Sequence, residues 1–169
     1  ARYGDLGDLQ GKGREVGIEL SEADVRWAEI AIIKKAHKIL KEEKHPSKML
    51  ACSMRVSPPL DDKKVAVWHL EKIAGGNFVY TCPPKFIKAL ILKCDDLEFS
   101  NQIEEEVPER VLAKLLKVPY FKQAYLEDGL SADEFIDHPA VVATANEFSK
   151  RTLGMVDFVS ARLEKKKYK

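Results

Sequence analysis

The chain has almost no net charge to offer a partner. Lys plus Arg number 28 and Asp plus Glu 27, a formal balance of +1. A balance that even steers neither nucleic acid nor an anionic membrane surface, so neither is expected as a partner. The basic run Lys165-Lys166-Lys167-Tyr168-Lys169 stands at the very end and reads as a solvated terminus. Long apolar runs are lacking too. None approaches the ~20 residues of a membrane-spanning helix, and no secretory leader pattern opens the chain. Cysteine is scarce: Cys52, Cys82 and Cys94 are the three present, without the spacing of a metal site or a disulfide framework. A reducing compartment is expected, most simply the cytoplasm, with Cys52 as a small core residue of an apolar run. His37, His45, His69 and His138 are scattered, none at metal-ligand spacing, and Glu104-Glu105-Glu106 reads as a solvated face, so no metal is expected. Internal repeats and low-complexity linkers are absent.

What is present suffices for one globular body. The 169 residues are 45% hydrophobic and 33% charged, enough for a real core. Gly4, Gly7, Gly11 and Gly13 predict that the opening dozen residues form a loop, and the chain reads as starting in mid-architecture. Ser21 with Asp24 three residues on predicts a capping box. Val25, Ala28, Ile32, Ala36, Ile39 and Leu40 then recur at helical spacing, up to Pro46.

Two short apolar runs follow, Lys48 to Met54 and Asn77 to Thr81, each read as a buried strand. Asp61 and Asp62 favour the start of a helix between them, which Gly75-Gly76 would end. Pro83 and Pro84 fit the first turn of a helix after the second strand, with Phe86, Ile87, Leu90 and Ile91 on its buried side. Strands alternating with helices predict βα units and a parallel sheet. From Asp95 onward the pattern is helical. Helices are expected over 107–116, ending at Pro119, and from Ser131, where Glu134 completes a second capping box. A long helix opens at His138-Pro139, with Val142, Ala145, Phe148, Thr152, Met155, Val156, Val159 and Leu163 along one side. Tyr120, Phe121 and Tyr125 are expected to pack together. The expected division is βα units over residues 1–94 and a helical extension over 95–169, packed on the same domain.

The residues that suggest chemistry lie where the first strand ends. Ser53 and Arg55 are two apart, which on a strand places them on one face, and a hydroxyl beside a guanidinium suits a phosphate or carboxylate. Parallel α/β folds bind ligands at that end of their strands. Arg2 is a further anion-contact candidate. The amino end of the helix after Thr81-Cys82 would add backbone donors.

These segments resemble transaldolases. Ala51-Cys52-Ser53-Met54-Arg55 is similar to the family's Ala-Ser-Phe-Arg type strand, with Val56 where the family has a polar residue. Ala74-Gly75-Gly76-Asn77-Phe78-Val79-Tyr80-Thr81-Cys82-Pro83-Pro84 resembles its next unit, and Ala1-Arg2-Tyr3-Gly4-Asp5 the stretch that closes its sixth strand. The ending, Tyr120-Phe121 through Ala124-Tyr125 to Asp128-Gly129-Leu130 and Phe135, is like that of bacterial members.

The resemblance implies an α/β fold: the carboxyl-terminal portion of a (β/α)8 TIM barrel with additional C-terminal helices. It implies a transferase of the pentose phosphate pathway that passes a dihydroxyacetone unit between sugar phosphates through a lysine Schiff base, without metal or organic cofactor. Ser53, Arg55 and Arg2 would hold the phosphate. The Schiff-base lysine and its acids would precede Ala1, on a missing amino-terminal segment or companion chain, and 169 residues fall short of the about 250 of a full barrel. This chain alone is therefore expected to be inactive. The alternatives are a non-catalytic barrel fragment serving as a scaffold or interaction protein, and another phosphosugar-binding barrel of aldolase type. Homo-oligomerisation is left open.

Overall fold

A computed structural model describes residues 6–52, 54–56, 67–93 and 98–167. Over these it is mainly helical, 65% helix and 4% strand. In chain order the elements are α1 (Leu6–Glu15), α2 (Glu22–Glu42), β1 (Met49–Ala51), α3 (Trp68–Lys72), β2 (Phe78–Tyr80), α4 (Pro84–Lys93), a 3-10 turn (Gln102–Glu104), α5 (Glu109–Leu115), α6 (Pro119–Tyr125), α7 (Ala132–Asp137) and α8 (Pro139–Lys167).

The expected portion of a (β/α)8 barrel is not found. Among the described residues the sheet is a single parallel pair, Met49 against Phe78, Leu50 against Val79 and Ala51 against Tyr80. A barrel needs strand after strand staggered around a closed ring, and three-residue strands buried on one side only cannot supply it. Leu50 and Val79, register partners on the open face, are 56% and 49% exposed, whereas Ala51, Phe78 and Tyr80 pack under α2. What remains of the strand–helix alternation is this one parallel unit.

The helical body forms around α2. Its start is set locally: the Ser21 hydroxyl accepts from the Asp24 N–H, and Asp24 Oδ2 accepts from the Ser21 N–H at 2.8 Å. Lys114 of α5 donates to the same carboxylate at 2.6 Å. One side of α2 carries Val25, Ala28 and Ala31 into a core with Leu9, Leu20, Val107, Leu115, Val118 and Phe121. The other side carries Ile30 into a second core with Ile73 and Ile103, bordered by Trp27, Ile33, Trp68 and Phe78. A third cluster, Met54, Val67 and Phe86, lies beneath the start of α4.

Several local expectations change. The opening glycines do not keep the chain in a loop: Gly7, Gly11 and Gly13 lie within α1. Leu9 is fully buried in the first core, and packing outweighs the roughly 1 kcal/mol each glycine costs a helix. Gly13 has a positive reason as well, since a Cβ there would lie 2.6 Å from the Ile18 carbonyl oxygen. Pro119 does not end a helix but opens α6 at its first turn, where a missing N–H is harmless. Cys52 is exposed rather than a core residue, because β1 stops at Ala51. Asp61, Asp62, Cys94 and residues 1–5 lie outside the described residues.

Gly75, after α3, has φ +87° and its α-carbon side faces Asn101. A Cβ at that position would collide with the Asn101 carboxamide and stand 3.1 Å from its Cα. Gly75→Ala is expected to destabilise the fold by about 1–2 kcal/mol from the left-handed backbone alone, read as a lowered urea midpoint. An unchanged midpoint would show that alanine takes up this backbone without strain.

Candidate functional site

β1 and β2 run side by side, so their carboxyl ends lie together. The pairing continues irregularly past the strands: the Thr81 N–H donates to the Ala51 carbonyl and the Met54 N–H to the Thr81 carbonyl, both at 3.0 Å. Arg55 follows at once and is exposed. Because β1 stops at Ala51, Arg55 stands beyond the strand, and strand alternation does not set its direction. Ser53 and Arg2 lie outside the described residues. The amino end of α4 offers less to an anion than expected. Pro83 and Pro84 have no N–H, and the Thr81 N–H already has the Ala51 carbonyl.

Helix α2 brings polar groups to this same end. It runs antiparallel to the strands. His37, late in α2, stacks on Phe78 at the start of β2, with ring centroids 5.3 Å apart. The early residues of α2 accordingly meet the start of α3 and the far end of β1. There Arg26, 2% exposed, and Glu29 face His69 of α3. His69 Nε2 lies 3.7 Å from Glu29 Oε2. Arg26 Nη2 donates to Glu22 Oε1 at 2.6 Å, and its Nη1 is buried with no hydrogen-bond partner among the described residues. Trp27 and Trp68 close the site in a T-shaped contact with centroids 4.9 Å apart, and Trp68 meets His69 edge-on at 5.2 Å.

The electrostatics follow from burial. Desolvation pushes the Glu29 carboxyl above its ordinary range, while the Arg55 guanidinium pulls it the other way. Desolvation, with the Arg26 charge adding to it, lowers His69 to about 4. At neutral pH the imidazole is therefore uncharged. The arrangement places the Arg26 guanidinium beside a neutral imidazole and a buried carboxyl group on which the Arg55 charge also acts.

The lysines tell a different story. Burial lowers the Lys34 ammonium, the one lysine shifted clearly among the described residues, yet its Nζ donates to the carbonyls of Gln102 and Glu105. It ties α2 to the 3-10 turn, away from the strands' carboxyl ends. Lys48 precedes β1 and is exposed.

Sequence reasoning named Arg55 here but not Arg26 or Glu29, and it treated His69 as scattered. A signal was present in Ile30 and Ile33, which continue the face of Arg26 on a helix whose opposite face is also apolar; a helix apolar on both sides buries whatever polar residue lies between. No family model, curated protein or solved structure matches the chain.

Proposed function

We propose that this chain holds the phosphate end of a sugar phosphate in a transaldolase-type transfer of a dihydroxyacetone unit. The lysine that forms the Schiff base is supplied from outside the described residues. The reading rests on the local unit and on no barrel. Its main support is Arg55, an exposed residue four positions past β1, beyond the end where the two parallel strands are hydrogen-bonded together and where α/β units receive anionic ligands. Ser53 and Arg2 would assist it, and the working compartment would be the cytoplasm. Of that last point the structure carries only a coarser statement: no helix among the described residues is long and apolar enough to cross a membrane.

Titration of the full chain with fructose 6-phosphate, followed by calorimetry, tests the reading. Arg55→Ala is expected to weaken binding by about 1.5–3 kcal/mol, roughly 10- to 150-fold, the loss of one charge-assisted contact. Equal affinity in the variant would remove Arg55 from the site.

A second reading, a non-catalytic interaction module, has an observation of its own. Helix α8 packs chiefly against α7 and leaves Phe148, Leu153, Met155, Val156, Phe158 and Leu163 more than half exposed. Apolar surface of that extent marks contact with another macromolecule, a second copy of this chain included. Sodium borohydride with fructose 6-phosphate separates the two readings on the intact protein: a trapped adduct belongs to the transferase, its absence to the module.

A further inference from the structure

We propose that Arg26 is an oxyanion-binding residue, which takes the phosphate group of a phosphomonoester, or free inorganic phosphate, on the Nη1 edge of its buried guanidinium. The inference deepens the sugar-phosphate reading by adding a second arginine to the same end of the strands, and rests on that reading only for what carries the phosphate.

The geometry that carries it is a buried cation with an empty donor. Arg26 is 2% exposed. Its Nη2 is matched by Glu22, whose side chain is 62% exposed, but its Nη1 meets no acceptor among the described residues. Buried polar groups are nearly always bonded, and an exception calls for an explanation. A desolvated charge with an open donor is costlier still than a neutral one. Glu22 is the one carboxylate bonded to Arg26 among the described residues. Glu29, the nearby carboxyl, faces His69; burial raises it and the Arg55 charge opposes the rise. Arg26 is thus bonded to a protein carboxylate through Nη2 alone, and its Nη1 edge is left without an acceptor among the described residues. A guanidinium edge matches two oxygens of a phosphate at once, which a point charge does not.

The site carries its own reporter. Trp27 and Trp68 are the chain's two tryptophans, and both border the cluster. The full chain is titrated with sodium phosphate at constant ionic strength, with chloride as the balancing anion, and tryptophan emission is followed. A saturable change is expected. Arg26→Met should weaken it at least tenfold, and Arg26→Lys, which keeps the charge but loses the planar fork, by a smaller factor in the same direction. Wild-type affinity in Arg26→Met overturns the proposal, as does a wild-type chain that shows no saturable response. Should Arg26→Met fail to fold, the Arg26 guanidinium nitrogen resonances of the wild-type chain serve instead. A shift that saturates with phosphate supports the proposal, and resonances indifferent to phosphate overturn it.

Two further probes define the ligand. Fructose 6-phosphate binding tighter than phosphate identifies a sugar phosphate as the carrier, and equal affinities identify the phosphate group alone. Acetate binding as tightly as phosphate would overturn the assignment to phosphate. The two arginines also separate this inference from the preceding reading. Loss in Arg55→Ala with none in Arg26→Met removes the inference and keeps the reading; loss in Arg26→Met with none in Arg55→Ala does the reverse.

Discussion

Unfolding of the full chain is expected to become about 3 kcal/mol easier between pH 7 and pH 4 through His69 alone. In the folded chain burial and the Arg26 charge lower the imidazole from 6.5 to about 4, and unfolding returns it to the ordinary value. The unfolded state therefore binds the extra proton throughout that window. Stability follows the difference in bound protons, rising with pH wherever the unfolded state holds more. The contribution is fully present above pH 6.5 and is lost as pH falls toward 4. Glu29 works in the opposite sense, since its raised carboxyl takes up a proton more readily in the folded chain. The two groups face each other at 3.7 Å, so their titrations are coupled. His69→Gln isolates the histidine: the stability difference between variant and wild type, measured by urea unfolding at each pH, should itself change by about 3 kcal/mol over the window. Parallel curves would show that His69 is hydrated and protonates in the folded chain.

The reason this pair escaped sequence reasoning is that its properties are not local. His69 is one residue past the start of a five-residue helix, and nothing in its neighbours along the chain announces that α2 will cover it. Arg26 is likewise ordinary in sequence, four residues after Glu22 as surface ion pairs commonly are. Its burial comes from the docking of α3 against α2. By contrast, both capping boxes, Ser21 with Asp24 and Ser131 with Glu134, appear in the structure as expected, because their hydrogen bonds close within four residues. The apolar runs at Met49 and Phe78 and the helix start at Pro84 were legible for the same reason.

Tertiary features were less legible. A strand–helix–strand pattern specifies a parallel pair, and that pair is present, but it does not count the strands of the sheet. The step from one such unit to a closed barrel came from resemblance, and the mainly helical structure does not bear it out. The glycine-rich start shows the converse error. Local propensity argued for a loop, while the burial of Leu9 and the close approach of Gly13 to Ile18 favour helix α1. At Arg55 the limit was register: alternation is a rule for strands, and β1 has ended four residues earlier.

Phe121→Ala is expected to cost about 3–5 kcal/mol, the range for truncating a fully buried aromatic side chain. Phe121 has no exposed surface, stacks on Tyr125 with centroids 5.4 Å apart, and joins Leu9 of α1, Val25 and Ala28 of α2 and Leu115 of α5 in one core. Against a typical total of about 5–15 kcal/mol, such a loss is a fifth of the stability or more. The matched control is Phe135→Ala. Phe135 is 57% exposed on α7, and its truncation should stay within about 0.5 kcal/mol. The variant also tests whether α2 couples the two cores. Val25 and Ala28 point into the Phe121 core, while Ile30, two residues on, belongs to the core bordered by Trp27 and Trp68. If one helix holds both together, far-ultraviolet dichroism and tryptophan emission must report a single transition, shifted equally by Phe121→Ala. Helix content that melts before the tryptophans respond would show that the cores part along α2, and that the Arg26 cluster can stay folded without the helices beneath it.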